Sequence, residues 1–556
     1  MRMTGAQYLA RALEGYGVTH VFFVPTMASW TLVELEKTTG IKRILTHDER
    51  AAAYMADGYA RASGRPGVAA AQMIGTSNLA AGLRDAYMAC SPVIALTGGA
   101  YIDSRHRHQY QQMDNLSIFE PVTKFNAHVE DVTRLPDLLR QAFRCATSGK
   151  PGPVHLELEG HLGEVTERQE ADLELIVEER FSAVPPFRPE PEPGSVREAV
   201  RLLERSERPI LVVGGGARDS GAAPELLRLA EQLSIPVATS LNAKDVISGD
   251  HPLAVGVVGL YQRESANRAV LESDLVCFVG SKTGSQVTRN WRVPPAGTPV
   301  IQIDIDPEEL GRHYPNAVSL LGDAKVTLSR LSAAAAGSRV DRSGWVQRVQ
   351  TLVREWRKEV AAEVESDAVP MRPERLCREL GSVLPLDCIV VADTGHAGFW
   401  TGTHLDLTQP GQSYIRAAGS LGWGFPASLG AKLAVGDRPV VLFTGDGGLW
   451  YHLSELETAV RWGVKVVVVV NDNRSLNEEQ PFYEPMYGGK LHGKHEELWV
   501  FEDVDLAQVA RSIGANGLRV RKPAEFAPAV EQALAADRLT LIDVVTDIDA
   551  LCPWEV

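Results

Sequence analysis

PVVLFTGDGGLWYHLSELETAVRWGVKVVVVVNDN, residues 439–473, is the stretch that decides the fold. It reads as a strand (440–443), a glycine turn (Gly445-Asp446-Gly447-Gly448), a helix (453–462) and a second strand (464–470) that runs into Asn471-Asp472-Asn473. Both strands are apolar on both faces, as parallel strands are when helices cover each side of their sheet. A strand–helix–strand crossover brings the two strand ends to one edge, where open α/β sheets bind ligands. There the backbone N–H groups of Gly447 and Gly448 approach an anion at a helix N-terminus. Asp446 and, 27 positions later, Asn473 supply a carboxylate and an amide oxygen, and the Ser475 carbonyl is the natural third hard oxygen. Two diphosphate oxygens and a water would complete the octahedron that magnesium requires. The first expectation is thus a magnesium–diphosphate site: Asp446, Asn473 and Ser475 on the metal, Gly445, Gly447, Gly448 and Asn473 around the diphosphate.

The same alternation extends outward in both directions. Short β-branched runs at 18–24, 67–72, 92–97, 209–213, 274–279, 299–305, 388–392 and 539–545 are separated by amphipathic helical stretches. A proline- and glutamate-rich segment (183–194) and a small, polar one (333–343) read as linkers. A chain of 556 residues exceeds a single core. The expectation is an α/β protein of three doubly wound parallel-sheet domains, at 1–165, 195–332 and 365–556, with the first and third open to being copies of one architecture.

Composition narrows the function. With a net charge of −15 and no long basic run, the surface repels phosphate backbones and anionic lipid, so neither nucleic acid nor a membrane is expected as partner. Arg105-His106-Arg107-His108 is the one local basic cluster, read as a solvated loop, a subunit contact or a receiver for a coenzyme A phosphate. Six scattered cysteines form neither a disulfide framework nor a zinc pattern. Residues 1–23 lack a secretory signal and the longest apolar run, 464–470, is strand-sized. A cytoplasmic enzyme with a small-molecule or acyl-CoA substrate is expected.

Gly445-Asp446-Gly447…Asn471-Asp472-Asn473 resembles the thiamine diphosphate signature. The whole chain resembles the acetohydroxyacid synthase and pyruvate oxidase group, which includes oxalyl-CoA decarboxylase and 2-hydroxyacyl-CoA lyase. The resemblance implies thiamine diphosphate and Mg2+ as cofactors. It also implies a pyrimidine-binding domain, a central nucleotide-binding-like domain and a diphosphate-binding domain, in that order. Residues 46–61 (THDERAAAYMADGYAR) resemble the family's catalytic-glutamate helix, which places Glu49 on the cofactor's pyrimidine N1′. A carboxyl there favours the imino tautomer that ionises the C2–H. Residues 418–427 (AGSLGWGFPA) resemble the segment that props the cofactor into its bent shape, with Ser420 beside it and Leu421 at the propping position. Asp393-Thr394-Gly395-His396 resembles a second diphosphate loop through Gly395, while His396 reads as a phosphate contact, a substrate contact or a structural residue.

The choice of reaction turns on three segments. Tyr110-Gln111-Gln112-Met113-Asp114 matches the loop that points a polar side chain at the reactive carbon. Gln111 falls on the synthase glutamine, an amide able to hydrogen-bond a developing alkoxide; Tyr110, Gln112 and the Met-Asp flank lean to the acyl-CoA branch. Residues 209–216 (PILVVGGG) and 303–307 (IDIDP) resemble the family's ADP- or FAD-binding half, with Gly215 and Asp304 as its contacts. Gly280-Ser281-Lys282-Thr283-Gly284-Ser285-Gln286 stands where the synthases carry a flavin-contacting Arg-Phe-Asp-Asp-Arg, and Pro25-Thr26 replaces the usual Pro-Gly. The stretch 474–500 reads as a lid, with Glu496 or Glu497 as a second acid/base group. Together these lean to a 2-hydroxyacyl-CoA lyase, releasing an aldehyde or ketone and formyl-CoA. The alternative is an acetolactate-synthase-like carboligase that decarboxylates a 2-oxo acid such as pyruvate, and a non-catalytic cofactor-binding paralogue is the third reading. The resemblance also implies a homodimer or homotetramer with active sites at the subunit interface.

Overall fold

Among the described residues, 1–104 and 107–553 of a computed structural model, three six-stranded sheets follow one another along the chain. Arg105 and His106 of the basic cluster lie outside the described residues. Neighbouring strands in the three sheets are parallel throughout. The expected α/β class is therefore the observed one. Each sheet separates two apolar clusters: along His20–Phe23, Phe22 enters one core while Val21 and Phe23 enter another. That alternation is what double winding requires.

The N-terminal sheet is ordered Lys42–Leu45, His20–Phe23, Gly67–Ala71, Val93–Gly98, Val154–Leu158, Phe125–Val129. The C-terminal sheet is ordered Ser413–Arg416, Ile389–Ala392, Val440–Gly445, Val467–Asp472, Thr540–Val545, Asn516–Val520. Numbered within each domain, both orders are 2-1-3-4-6-5, so the two outer domains share one topology. The central sheet runs 3-2-1-4-5-6, the order of dinucleotide-binding folds, from Ala254–Val257 to Val318–Leu321. The helix Ser343–Glu359, in the segment between the second and third blocks, covers this central sheet: Trp345, Val349 and Leu352 join the cluster of Ile210 and Val276, and the Trp345 indole donates to the Pro209 carbonyl at 2.9 Å.

The outer domains meet through a crossing of like helices, Glu49–Ser63 and Gly424–Val435. A Cβ at Gly58 would lie 2.0 Å from the Ala427 carbonyl oxygen, and one at Gly430 would lie 1.9 Å from that of Met55. The contact is reciprocal, and it leaves the backbones no room for a methyl group. Gly430→Ala is expected to cost about 1–3 kcal/mol through overpacking, read as a lower thermal midpoint. An unchanged midpoint would mean that the two domains do not hold each other at this crossing.

Candidate active site

In the C-terminal sheet the order reverses between Ile389–Ala392 and Val440–Gly445, the kind of switch point at which open α/β sheets hold ligands. Buried Asp393 joins the loops that end there. Its carboxylate accepts the N–H groups of Thr394 (2.8 Å), Gly422 (3.1 Å) and Gly424 (3.2 Å) and the Thr444 hydroxyl (3.2 Å). Burial raises this carboxyl to about 6, and the four donors pull the other way. Asp393 ties together the loop that the sequence marks only as a diphosphate contact. Gly424 and Gly448 leave it room, since a Cβ at either would approach its carboxylate to 3.0 or 2.9 Å.

Asp446 is the first residue of a short helix, Asp446–Trp450, which begins seven residues before the expected one and sets Gly447 and Gly448 in its first turn. Burial, and after it the nearby Asp472, hold the Asp446 carboxyl well above the ordinary range. No lysine or arginine pairs with it among the described residues. Buried Asn473 spends its Nδ2 on Asn477 (2.8 Å), while its Oδ1 accepts the Ser475 N–H (3.1 Å). The Ser475 hydroxyl donates to the Trp499 carbonyl (2.9 Å), and the Ser475 carbonyl accepts no hydrogen bond among the described residues. An uncompensated carboxylate, an amide oxygen and an open carbonyl form a hard-oxygen set, so these residues fit a magnesium ion. His396 starts the helix His396–His404; burial pushes its ring down to about 4, so it is neutral, and its Nε2 faces the Cys552 N–H (3.4 Å).

The N-terminal domain secures the loop that carries half-buried Ser420 and Leu421. The Asp85 carboxylate accepts the N–H groups of Ala418 (2.9 Å) and Ser420 (3.0 Å). Arg61 bridges Asp57 and Asp85, both buried, and donates to the Arg416 carbonyl at 2.6 Å. The Trp423 indole donates to Asp57 at 2.8 Å. None of this network was visible in the sequence, where Asp57, Arg61 and Asp85 read as ordinary helix residues.

Glu49 lies elsewhere, at the carboxyl edge of the N-terminal sheet. It opens the helix Glu49–Ser63, whose N-cap is Asp48, and is half-buried. Its Oε2 accepts from the Asn78 amide (3.1 Å), and only a glycine at position 75 leaves space for Oε1, since a Cβ there would lie 2.3 Å away. No described hydrogen bond joins Glu49 to Asp446, Asn473 or Ser475. Tyr110 is 78% exposed, Gln111 adopts a left-handed backbone (φ 64°) and the Gln112 side chain accepts the Gln109 N–H (3.3 Å), so the 110–114 loop stands at the surface of a single chain. Glu496 and Glu497 are exposed on the turn His495–Leu498 and make no described side-chain contact. Half-buried Glu478, on the turn Asn477–Glu479 of the same segment, is a carboxylate that the sequence does not single out. Burial, reinforced by Glu479, raises it to about 7.

Comparison with known proteins accounts for this geometry. Models of the N-terminal, central and C-terminal domains of thiamine pyrophosphate enzymes match residues 3–118, 196–331 and 393–544. The chain is 34% identical to a probable acetolactate synthase large subunit of Methanocaldococcus jannaschii, over 98% of this chain and 92% of that protein. It belongs to the thiamine pyrophosphate enzymes. Acetolactate synthase large subunits of Corynebacterium glutamicum (30% identical, 99% of this chain, 88% of that one) and Haemophilus influenzae (28%, 98% and 95%) are also similar end to end. The lean to a 2-hydroxyacyl-CoA lyase finds no support among these relatives; they favour the acetolactate-synthase alternative.

In this thiamine pyrophosphate enzyme the central sheet's own switch point opens into a cavity of about 350 Å³. Gly214–Gly216, Gly280–Gln286 and Asp304 line it, with Arg416 and Tyr261 at the wall shared with the C-terminal domain. A Cβ at Gly214 would strike the Gly280 carbonyl at 2.2 Å, and Gly215 opens a helix whose first turn borders the cavity. Burial lifts Asp304 to about 6. Buried Arg416 donates to Asn242 (2.9 Å) and to Gln286, and its Nη1 has no partner. A buried cationic donor without an acceptor fits an anionic occupant.

Proposed function

We propose that this enzyme is a thiamine-diphosphate- and magnesium-dependent carboligase that decarboxylates a 2-oxo acid such as pyruvate and joins the remaining fragment to a second carbonyl compound. The observation that carries this reading is the end-to-end similarity to acetolactate synthase large subunits. The cofactor supplies a carbanion at its C2 and a ring that accepts the electron pair of the broken C–C bond. Asp446, Asn473 and the Ser475 carbonyl would hold magnesium, and Gly447 and Gly448 would offer N–H groups to the diphosphate. Leu421 would support the cofactor, and Glu49 would hold and exchange a proton with its pyrimidine ring. Gln111 would donate to the oxygen on which charge develops. The family resemblance supports a homodimer or larger assembly, in which a second copy would bring its own Glu49 to this chain's Asp446. The central cavity takes ADP or FAD, with Asp304 and Arg416 on the nucleotide. The setting is cytoplasmic.

Purified protein given pyruvate, thiamine diphosphate and Mg2+ is expected to release CO2 and form acetolactate, identified by mass spectrometry. A 2-hydroxyacyl-CoA offered separately should remain intact. Cleavage of that thioester with no turnover of pyruvate would reverse the assignment, and a flavin absorption band in the preparation would decide between FAD and ADP.

A further inference from the structure

We propose that Glu478 is the proton-transfer carboxyl of the carboligation step. The inference deepens the carboligase reading and rests on it. Glu478 lies on the turn Asn477–Glu479, directly after the metal-binding segment, and its carboxylate fills the space that a side chain at Gly395 would occupy. A Cβ at Gly395 would lie 2.3 Å from Glu478 Oε2, and the left-handed backbone there (φ 66°) already favours glycine. The Glu478 carboxylate thus lies against the backbone of this loop at Gly395.

The segment that carries Glu478 is pinned. The Leu476 N–H donates to the Trp499 carbonyl (2.8 Å), the Phe501 N–H to the Arg474 carbonyl (2.7 Å), and the Asn477 amide to the Ile548 carbonyl (2.5 Å). Leu476 packs on Gly447, so the turn seats against the diphosphate helix itself. The groups that face Glu478 are Glu479 on its own turn, the His396 backbone N–H, and Tyr261 from the central domain. The His396 ring is neutral, and no lysine or arginine pairs with Glu478 among the described residues. A half-buried carboxyl beside another carboxylate and without a cation keeps its proton close to neutrality, as a group that must both give and take one requires.

The proton accounting closes. When the nucleophilic carbon adds to an acceptor ketone, a C–C bond forms, the C=O π pair moves onto oxygen, and that oxygen takes the proton of Glu478. On product release, the hydroxyl on the donor-derived carbon would give its proton to the Glu478 carboxylate as its C=O re-forms and its bond to the cofactor carbon breaks, the electron pair returning to the cofactor, and the acid is restored.

The test uses the full-length holoenzyme with Glu478→Gln. Acetolactate formation should fall about 100-fold, while decarboxylation of pyruvate with ferricyanide in place of the acceptor stays within about 2-fold. Thiamine diphosphate affinity, followed by tryptophan fluorescence, should be unchanged. The variant should also lose a protonated-carboxyl infrared band that the wild-type protein sheds between mildly acidic and mildly alkaline pH, and Glu478→Asp should recover part of the carboligation. A variant equal to wild type in both assays, or one that loses cofactor affinity in parallel with activity, overturns the role of Glu478 alone. Wild-type protein that releases no CO2 from pyruvate overturns the carboligase reading, and this inference with it.

Discussion

Asp446→Asn is expected to abolish catalysis and yet to make the cofactor-free protein more stable. The catalytic loss follows from the metal site: exchanging the carboxylate for an amide removes the one anionic protein ligand in the set. A fall of at least about 100-fold in magnesium-dependent cofactor affinity is expected, since changing groups merely behind a metal's ligands already costs 10–100-fold. The gain in stability follows from burial. The Asp446 carboxyl lies above its ordinary range because it is desolvated and faces Asp472. The folded chain therefore holds this proton more tightly than the unfolded chain. Its contribution is most favourable at low pH and is lost as pH rises from the unfolded value, about 4, into the raised folded range. Asparagine has no such dependence. The variant's thermal midpoint without metal should exceed the wild type's by an amount that grows with pH, equivalent to about 1–3 kcal/mol at neutrality. With thiamine diphosphate and Mg2+ added, only the wild type should gain stability. A variant that still bound the cofactor, or one less stable without it, would remove Asp446 from the metal.

The same contrast between interior and surface explains what the sequence made legible. Strands such as Pro209–Val213 and Val467–Asp472 lie inside their sheets, and their unbroken apolar runs announce them. The strands that escaped notice are mainly the sheet edges. Lys42–Leu45, Phe125–Val129, Ala254–Val257, Val318–Leu321, Ser413–Arg416 and Asn516–Val520 carry polar, glycine or half-exposed positions that interrupt the pattern. Val154–Leu158 is interior but holds buried His155 and Glu157, partnered by Thr97 and His128 across the sheet, and no local rule anticipates those partners. The site divides in the same way. Asp446 and Asn473 are legible because the strand–helix–strand crossover sets both at the ends of paired parallel strands of one continuous segment. The partners of Asp393, Asp85 and Arg61 come from distant segments, and a single sequence gives no sign of those partners. Glu496 and Glu497 stand exposed on the turn His495–Leu498 of a single chain, and composition does not report burial.

Glu49→Gln should leave the cofactor bound and lower kcat by about 10²–10⁴-fold, the range for losing a positioned acid or base. The substitution is mild for the fold. Glutamine's amide oxygen can still accept from Asn78, the space opened by Gly75 admits the same shape, and Asp48 still caps the helix through the Arg50 N–H at 2.6 Å. On the proposed role of Glu49, only the exchangeable proton at N1′ would be lost, so the effect should fall on kcat and on the rate at which the bound cofactor's C2 proton exchanges with solvent. Pairing this variant with Asp446→Asn then asks where Glu49 acts. If each site joins Glu49 of one copy to Asp446 of another, the two dead variants repair each other when co-expressed. Random pairing makes half of the dimers mixed, and each mixed dimer has one intact site of two, so about a quarter of wild-type activity should return. Should Glu49 instead serve the Asp446 of its own chain, every site in the mixture would lack one group, and no activity would reappear.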